Sequence, residues 1–482
     1  MEWWKQEGTW LVTLVLIAFV FRYPFIYTLP LEMDEPLYAE HIEEFIEKPG
    51  LVPVFYDTLA TWKPILAFAA YAPFVLLFKS LGISEPDVLY RLPAVFFGVL
   101  NAVVVYFLLM RIDFEKPRRE VAFLGALIYA TMPLSIETER LLLTDAFFVF
   151  LINLAMLSYT NAKSLKWLAT AAFLSFLAAW TKTFAALMIP LLAVAYWLWR
   201  EKNFVKNPLF LASLAGAPLG IASYLALTWD IQGMRGQVIY DVVGRLVSNG
   251  GMVLLTAMQF VSLTLPWNVF GALGAWRFWR KNAFCSLWLA LAAPLSLLAY
   301  SMHWYFLPII PAVAWFAAKY LAHPRIDRLT DFMVVLLACV IFLGATVNTL
   351  IPNRIFEEQK EIGIYLQGKN KLLYFGDYAS TLVFYALLEN KSKDYRIVYV
   401  RSQQLNEGLV GNVTRGKEYQ SVGMNEGWFS KSPVSWGTWK GAYEYIATQP
   451  VVWGNYPKFF EEYELVKNSS EGSYQVFRRK HA

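Results

Sequence analysis

The chain has 482 residues, of which 57% are hydrophobic and only 16% are charged, and its mean hydropathy is +0.41. Soluble domains are closer to half apolar and a quarter charged, so this composition favours a protein embedded in a lipid bilayer. A net charge of +5, spread over short loops, argues against a nucleic-acid-binding surface, and two cysteines inside apolar runs argue against a disulfide scaffold.

Apolar stretches able to cross the roughly 30 Å hydrocarbon core of a bilayer recur from the N-terminus to Leu350. We predict a polytopic α-helical membrane protein with about 11 transmembrane helices, and with about 13 as the upper count. The first stretch is long for a signal-peptide core and lacks a small-residue cleavage site, so we expect it to be retained. The predicted spans lie near residues 10–29, 91–110, 121–137, 142–158, 167–181, 184–199, 208–228, 252–271, 284–301, 304–321 and 331–350.

One further apolar stretch, at 64–81, contains two prolines and decides the predicted topology. If it does not cross, every basic loop falls on one side, which the positive-inside rule makes cytoplasmic. We therefore predict that 64–81 is a juxtamembrane or re-entrant helix. The opposite, extracytoplasmic face then receives the acidic loop 30–62, the turn 137–145 and the loop 229–250.

Two segments outside the predicted spans have patterns of their own. Residues 36–48 place apolar side chains on one helical face and acidic side chains on the other, which predicts an amphipathic helix in the membrane interface. After Leu350, short apolar runs alternate with turn residues, which predicts a small α/β or α+β domain. We accordingly divide the chain into a transmembrane domain, 1–351, whose first external loop covers 30–90, and an extracytoplasmic domain, 352–482.

Carboxylates and cations converge on the predicted external face. Asp34 and Glu35 directly follow the first span, where an ordinary hydrated loop would explain them, but Asp145 lies inside an apolar run, where an isolated carboxylate is costly. The cations that reach this face are each explained singly as snorkelling or capping residues, and together they form a candidate pocket. They are Lys63, Arg140, Lys182 and His303.

Such a pocket suits the transfer of a group from a phosphate. Cations bind the phosphate and stabilise the charge on the leaving group, while a carboxylate removes a proton from the acceptor hydroxyl. No nucleotide-binding motif accompanies these residues, and the four histidines lack metal-ligand spacing. A transporter or flippase is the alternative, although it should place its charges near the bilayer midplane and often shows an internal repeat.

Several strings strengthen the first interpretation by their order and spacing over about residues 10–322. They are DEPLYAEHIEEF, WKPILAF, YRLPAVFFGVLNAVVVYFL, TERLLLTDAFFVFLINLAMLSY, WTKTFAALMIPLL and HWYFLPIIPAV. This succession resembles the GT-C clan of membrane glycosyltransferases, and within it the lipid A aminoarabinose transferases and the protein O-mannosyltransferases. Members of the clan use a sugar on a polyprenyl or dolichyl phosphate and transfer it outside the cytoplasm with inversion.

The resemblance implies roles for individual residues. Asp34 matches the aspartate that activates the acceptor or orients the reacting centre, and Asp145 matches a second aspartate near it. Glu35 and Tyr38 complete a DExxY pattern. The remaining matches are expected to bind the donor phosphate or the substrate, namely Lys63 of a KPP-like element, Arg140 of RxxxxD, Lys182 of a TKG-like turn, His303 where relatives have lysine, and Tyr305 of YxLPxxP.

The chain also departs from the pattern of its relatives. KPI replaces KPP after Lys63, and Trp62 stands where relatives can carry a glutamate or histidine, so the sequence does not support a divalent metal site. The WWDYG string of oligosaccharyltransferases is absent, which argues against transfer of a whole glycan to asparagine. We identify no required cofactor and leave a divalent metal open without support for it. We expect a lipid-phosphate-linked sugar as co-substrate, and a lipid, a lipid-linked glycan or a protein as the acceptor, all at the cell membrane.

Overall fold

A computed structural model divides the chain into two compact units. The helical unit comprises Met1–Ile26, Lys63–Asp230 and Val238–Ile351, and the loop-and-sheet unit comprises Tyr27–Trp62, Ile231–Gln237 and Pro352–Ala482. The structure describes residues 3–26, 29–32, 34–55, 58–59, 63–112, 119–230, 252–280, 282–299, 303–322, 354–369, 372–375, 380–387, 397–400, 417–420, 430–433, 445–448, 463–470 and 472–480.

The helical unit consists of apolar helices joined by short turns and by 3-10 segments. Its helices are α1 (Trp3–Arg22), α3 (Leu66–Ser80), α4 (Pro86–Ile112), α5 (Arg119–Thr131), α6 (Pro133–Arg140), α7 (Thr144–Thr160), α8 (Leu165–Lys182), α9 (Met188–Arg200), α10 (Pro208–Ser213), α11 (Gly216–Thr228), α12 (Met252–Thr264), α13 (Trp267–Phe278), α14 (Ala283–Ala299) and α15 (Ile310–Leu321). The 3-10 helices are Tyr23–Phe25, Thr183–Leu187, Lys202–Lys206 and His303–Ile309.

Within the part of the chain that the structure describes, three helical runs are long and apolar enough to cross a bilayer. They are Pro86–Ile112, Leu165–Arg200 and Pro208–Thr228. A fourth candidate combines α5 and α6, which are bent by 58°. The predicted span at 252–271 is divided between α12 and α13 at Pro266, a residue that lacks the backbone N–H a continuous helix needs. The predicted span at 331–350 lies outside the described residues.

The run Leu165–Arg200 folds back on itself. Lys163, just before α8, has its Nζ 3.9 Å from a carboxylate oxygen of Glu201, just after α9. The chain reverses at Thr183, whose φ of 25° is unusual for a residue other than glycine. The run therefore forms two arms, and the ends of the run meet at one end of the bundle.

Contacts among helix ends bring together the described residues that flank the predicted basic loops. At the end that contains Lys163 and Glu201, the rings of Tyr196 and Phe284 are 5.2 Å apart. Phe284 follows Asn282, whose amide donates to the carbonyl of Ile112 at 2.9 Å. The described residues that flank four of the predicted basic loops thus gather at one end of the helical unit, which we call the basic end.

Helix α3 stays at the other end of the bundle. The Tyr71 hydroxyl donates to the Leu143 carbonyl at 2.8 Å, just before α7 begins. Further along the same helix, Phe78 packs against Ile26 and Val88. Ile26 lies just after the C-terminus of α1, and Val88 lies in the first turn of α4. Both halves of α3 therefore contact the end opposite the basic end, which is the geometry expected of a juxtamembrane helix.

The loop-and-sheet unit contains three helices and nine strands among its described residues. They are α2 (Glu35–Glu47), β1 (Val54–Phe55), β2 (Thr58–Leu59), α16 (Arg354–Tyr365), β3 (Leu372–Phe375), α17 (Ser380–Leu387), β4 (Ile397–Val400), β5 (Lys417–Gln420), β6 (Ser430–Pro433), β7 (Tyr445–Thr448), β8 (Tyr463–Asn468) and β9 (Gln475–Arg479). Strands β1 and β2 form an antiparallel pair, and the other seven form a mixed sheet of order β6-β5-β4-β3-β7-β9-β8. In this sheet β3 is parallel to both β4 and β7, and the outer pairs are antiparallel.

The core of this unit lies between helices α16 and α17 and the sheet. Ile362 of α16 and Leu382 of α17 are fully buried against Ala447 of β7 and Val476 of β9. Residues 27–62, which the sequence assigns to the transmembrane domain, thus belong to one compact unit with the C-terminal residues. The functional division at 351/352 stays a prediction.

Candidate active site

A buried ion pair lies at the end of the helical unit opposite the basic end. The Lys182 Nζ is 2.5 Å from the Asp145 Oδ1, and the two side chains are only 7% and 6% exposed. Asp145 lies in the first turn of α7, where the helix dipole stabilises a carboxylate, and Lys182 is the last residue of α8, where it stabilises a cation. The two helix ends therefore favour this arrangement of charges.

An aromatic ring completes the surroundings of this lysine. The Nζ of Lys182 lies 4.2 Å from the centre of the Tyr305 ring and 6.0 Å from that of Phe148, distances at which a ring face attracts a cation. The 3-10 helix that carries Tyr305 is anchored by a hydrogen bond from the Trp288 indole to the Pro308 carbonyl at 2.9 Å. Asp145, Lys182 and Tyr305, which are far apart in the sequence, are thus brought together.

The other predicted residues of this unit are located as follows. Arg140 ends α6 and is only 3% exposed, and α6 packs against the 3-10 helix that begins at His303. Lys63 is partly buried and precedes α3. The side chain of His303 lies outside the described residues.

The DExxY residues lie in the loop-and-sheet unit. Asp34 is the N-cap of α2, but its side chain does not cap the helix and instead accepts a hydrogen bond from the Tyr38 hydroxyl at 3.3 Å. Glu35 is 1% exposed and accepts a 2.8 Å hydrogen bond from the backbone N–H of Glu32. Glu35 therefore stabilises the turn. The Asp34 carboxylate instead contacts the hydroxyl of Tyr38, the residue one helical turn further along α2.

Helix α2 also carries an unusual carboxyl group. Burial, together with the neighbouring charges of Glu44, Glu43 and Glu47, raises the pKa of Glu40 to about 8, and burial is the largest cause. Because the helix presents four acids within eight residues, Glu40 retains its proton more readily than an isolated glutamate does.

The sequence did not reveal a buried network beside Arg140. Arg22 donates to Glu139 from Nε at 3.1 Å and from Nη2 at 2.5 Å, and neither side chain is exposed. The same carboxylate accepts hydrogen bonds from Asn101 at 2.8 Å and from Tyr129 at 2.6 Å. The network ties α6 to α1, α4 and α5, and so fixes the helix that ends at Arg140. The available signals were an arginine at the end of an apolar run and an acid adjoining Arg140.

Metal ligands do not cluster in the described ranges. Among those residues, no group of three or more histidine, cysteine, aspartate or glutamate side chains is arranged to hold a metal ion.

Sequence comparison identifies one family. Residues 9–282 match the family described as dolichyl-phosphate-mannose-protein mannosyltransferase. Among proteins with curated functions, none matches the chain. The matched range begins inside α1 and extends past the end of α13, and it includes Asp34, Asp145 and Lys182.

Solved structures share the fold at low sequence identity. ArnT from Cupriavidus metallidurans, bound to undecaprenyl phosphate, has a TM-score of 0.68 at 15% identity, with 98% of each chain covered. The archaeal oligosaccharyltransferase AglB from Archaeoglobus fulgidus, in complex with an inhibitory peptide and a dolichol-phosphate, has a TM-score of 0.56 at 13% identity, covering 100% of this chain and 75% of that one. The arabinofuranosyltransferase AftD from Mycobacteria has a TM-score of 0.54 at 14% identity, covering 98% and 40%.

Proposed function

The chain belongs to the dolichyl-phosphate-mannose-protein mannosyltransferase family, and from this membership we propose that it moves a sugar from a polyprenyl or dolichyl phosphate to an acceptor hydroxyl. It is a mostly helical membrane glycosyltransferase, as the order of its motifs implies. The family match over 9–282 is the observation that carries this conclusion. In the proposal, the residues around Lys182 stabilise the leaving phosphate.

The reaction exchanges one bond at the anomeric carbon for another. The bond from that carbon to the phosphate oxygen breaks, and a bond to the acceptor oxygen forms from the opposite face of the sugar. In our proposal, Asp34 takes the acceptor proton as the general base. The phosphate leaves with its negative charge, which cations stabilise.

Three cations are proposed to stabilise the departing phosphate. Lys182 is buried beside Asp145 and the Tyr305 ring, so its position is set before any substrate arrives. A preorganised charge stabilises a developing anion without the cost of rearranging solvent. Arg140, at the end of α6, and Lys63, before α3, are proposed to bind the remaining phosphate oxygens.

We further propose that the basic end faces the cytoplasm and that the candidate pocket opens on the extracytoplasmic side. Support comes from the contacts that gather Ile112, Lys163, Glu201 and Asn282 at one end, because loops rich in lysine and arginine remain cytoplasmic. The position of α3 at the other end supports the predicted parity of about 11 crossings. The C-terminal sheet is then extracytoplasmic.

The alternative of a transporter is not favoured by any observation on the described residues. The Asp145 and Lys182 side chains lie at helix ends, in the first turn of α7 and at the last residue of α8. A transport path places its charges near the bilayer midplane. Their position suits a reaction at one membrane face.

The test uses the purified protein in nanodiscs with radiolabelled sugars on polyprenyl and on dolichyl phosphates. We expect the label to leave the carrier and to enter a lipid, a glycan or a peptide acceptor. A protein that moves the labelled lipid across vesicle membranes, and never separates sugar from phosphate, is a transporter and contradicts the proposal. Cysteine labelling at Lys163, which is 70% exposed, checks the orientation and should succeed only from the cytoplasmic side.

A further inference from the structure

Both backbone groups of Leu31 are held by one helix from the C-terminal part of the chain. The Leu31 N–H donates to the Tyr385 hydroxyl at 3.1 Å, and the Thr381 hydroxyl donates to the Leu31 carbonyl at 2.9 Å. Leu31 and Thr381 are fully buried, and Tyr385 is 2% exposed. Because buried hydrogen bonds leave no alternative partner in water, the two bonds fix the position of Leu31 from both sides.

Helix α17, which provides both hydroxyls, is itself fixed. Thr381 and Tyr385 are four residues apart and share one face of the helix. The adjoining residues Leu382 and Ala386 are fully buried in the core that α16 and α17 form with the sheet. The carbonyl of Tyr385 also accepts a 3.0 Å hydrogen bond from the Gln367 side chain. One face of α17 therefore packs on the sheet while another holds Leu31.

A short series of hydrogen bonds leads from Leu31 to Asp34. The next residue, Glu32, donates its N–H to the Glu35 carboxylate at 2.8 Å and accepts at its carbonyl from the Glu35 N–H at 2.9 Å. Tyr38 then binds Asp34 twice, from its N–H to the carbonyl at 3.0 Å and from its hydroxyl to the carboxylate at 3.3 Å. Three residues of chain reach at most about 11 Å, and this closed turn restricts Asp34 further.

We propose that Thr381 and Tyr385 are positioning residues for the transfer reaction, which hold the loop of Asp34 in its reactive position through the backbone of Leu31. The proposal rests on the function assigned above to Asp34. It makes the C-terminal sheet a part of the catalytic apparatus rather than a separate module for the acceptor. Because a misplacement of about 1 Å can reduce a rate about 100-fold, loss of either hydroxyl should lower kcat.

The decisive variants remove the hydroxyls while keeping the side-chain shapes. They are Thr381→Val, Tyr385→Phe and the double variant, made in the full-length protein. Tyr474→Phe is the matched control, because it removes another buried tyrosine hydroxyl of the same unit, one that accepts a 2.9 Å hydrogen bond from the Gln359 side chain. Thr381→Ser keeps the hydroxyl and should therefore retain the activity of the unchanged protein.

Two measurements are made on each protein, namely steady-state transfer and amide hydrogen exchange of residues 29–47. We expect Thr381→Val and Tyr385→Phe to lower kcat at least about tenfold and to leave the donor KM within about twofold. Their amides at 29–47 should exchange faster, whereas Tyr474→Phe and Thr381→Ser should match the unchanged protein in both measurements.

Three outcomes overturn the positioning role. They are an unchanged kcat in the double variant, faster exchange without any loss of kcat, and an equal loss of kcat in Tyr474→Phe. Each of them leaves transfer by the unchanged protein intact, and therefore leaves the proposed function standing. Absence of transfer by the unchanged protein, in contrast, refutes the proposed function itself.

Discussion

The Nζ of Lys182 lies 2.5 Å from the Oδ1 of Asp145, although 37 positions separate the two residues in the sequence. The pair joins the reversal between α8 and α9 to the first turn of α7. It keeps a cation and a carboxylate side by side where neither is exposed to much solvent. Removing one partner of such a pair leaves the other charge buried without compensation.

Lys182→Met should therefore lower both stability and transfer. We expect the free energy of unfolding to fall by about 3 to 5 kcal/mol, as for other broken buried ion pairs, and kcat to fall at least tenfold through loss of phosphate stabilisation, at about 1.4 kcal/mol per factor of ten. Lys163→Met is the matched control, because its ion pair with Glu201 is 70% and 52% exposed and should contribute no more than about 1 kcal/mol. Equal effects in the two variants would contradict the assignment.

Asp34→Asn should abolish sugar transfer while the protein keeps its thermal unfolding profile. The amide cannot take a proton from the acceptor, yet it can still accept the hydrogen bond from Tyr38. The control is Glu47→Gln, an exposed acid at the far end of the same helix, which should retain activity. Transfer by purified Asp34→Asn at the normal rate would remove Asp34 as the essential base.

Lys63→Ala should raise the KM for the lipid-phosphate donor more than it lowers kcat. The prediction follows because an anionic headgroup loses a charge-assisted hydrogen bond, an interaction about twice as strong as a neutral one. Lys79→Ala, at the other end of α3 and exposed, should leave the donor KM unchanged. A KM that is equal in the two variants would show that Lys63 does not bind the donor.

Gly98→Ala should destabilise the helical unit. A Cβ at this position would lie 2.7 Å from the Glu139 Cβ and 2.8 Å from the Arg22 Nε, so the buried ion pair would have to move. Overpacking of this kind costs about 1 to 3 kcal/mol, and thermal unfolding in detergent measures it. Gly8→Ala, in helix α1 with nothing within 4 Å of its added Cβ, should be neutral or stabilising.

Glu40 should make the stability of the loop-and-sheet unit depend on pH. Its pKa is raised from 4.5 to about 8 in the folded protein, so between these values the folded state binds more protons than the unfolded state. Stability should therefore fall as the pH rises from about 4.5 to about 8 and should level off above that range. Glu40→Gln should flatten the profile of thermal unfolding against pH, and an unchanged profile in this variant would contradict the assignment to Glu40.

The convergence of Asp145, Lys182 and Tyr305 could be anticipated from the sequence because charged residues inside apolar runs are conspicuous and the motif order resembles a known clan. Their catalytic roles stay predictions. The network of Arg22 and Glu139 could not be anticipated, since the two residues are 117 positions apart and either could have paired elsewhere. Nothing in a sequence pattern specifies which of several buried charges will meet.

No sequence pattern predicted the two hydrogen bonds between Leu31 and α17. It uses the backbone N–H and C=O of one leucine, groups that nearly every residue possesses, and two hydroxyls from an ordinary apolar helix. Local patterns predicted α2 and the later strands as separate features. Their association in one compact unit depends on tertiary packing, which overrides what adjacent residues can indicate.

The bond between Leu31 and Tyr385 spans 354 positions of the chain, and this separation sets an order of events during biosynthesis. A ribosome that adds about 5 to 20 residues per second needs about 20 to 70 s to travel from one partner to the other. The loop of Asp34 leaves the ribosome before α17 is made, and in the proposed arrangement its fixed position depends on that helix. A chain that stops before α17 is therefore expected to lack the anchor of Leu31 and to transfer sugar more slowly than the unchanged protein.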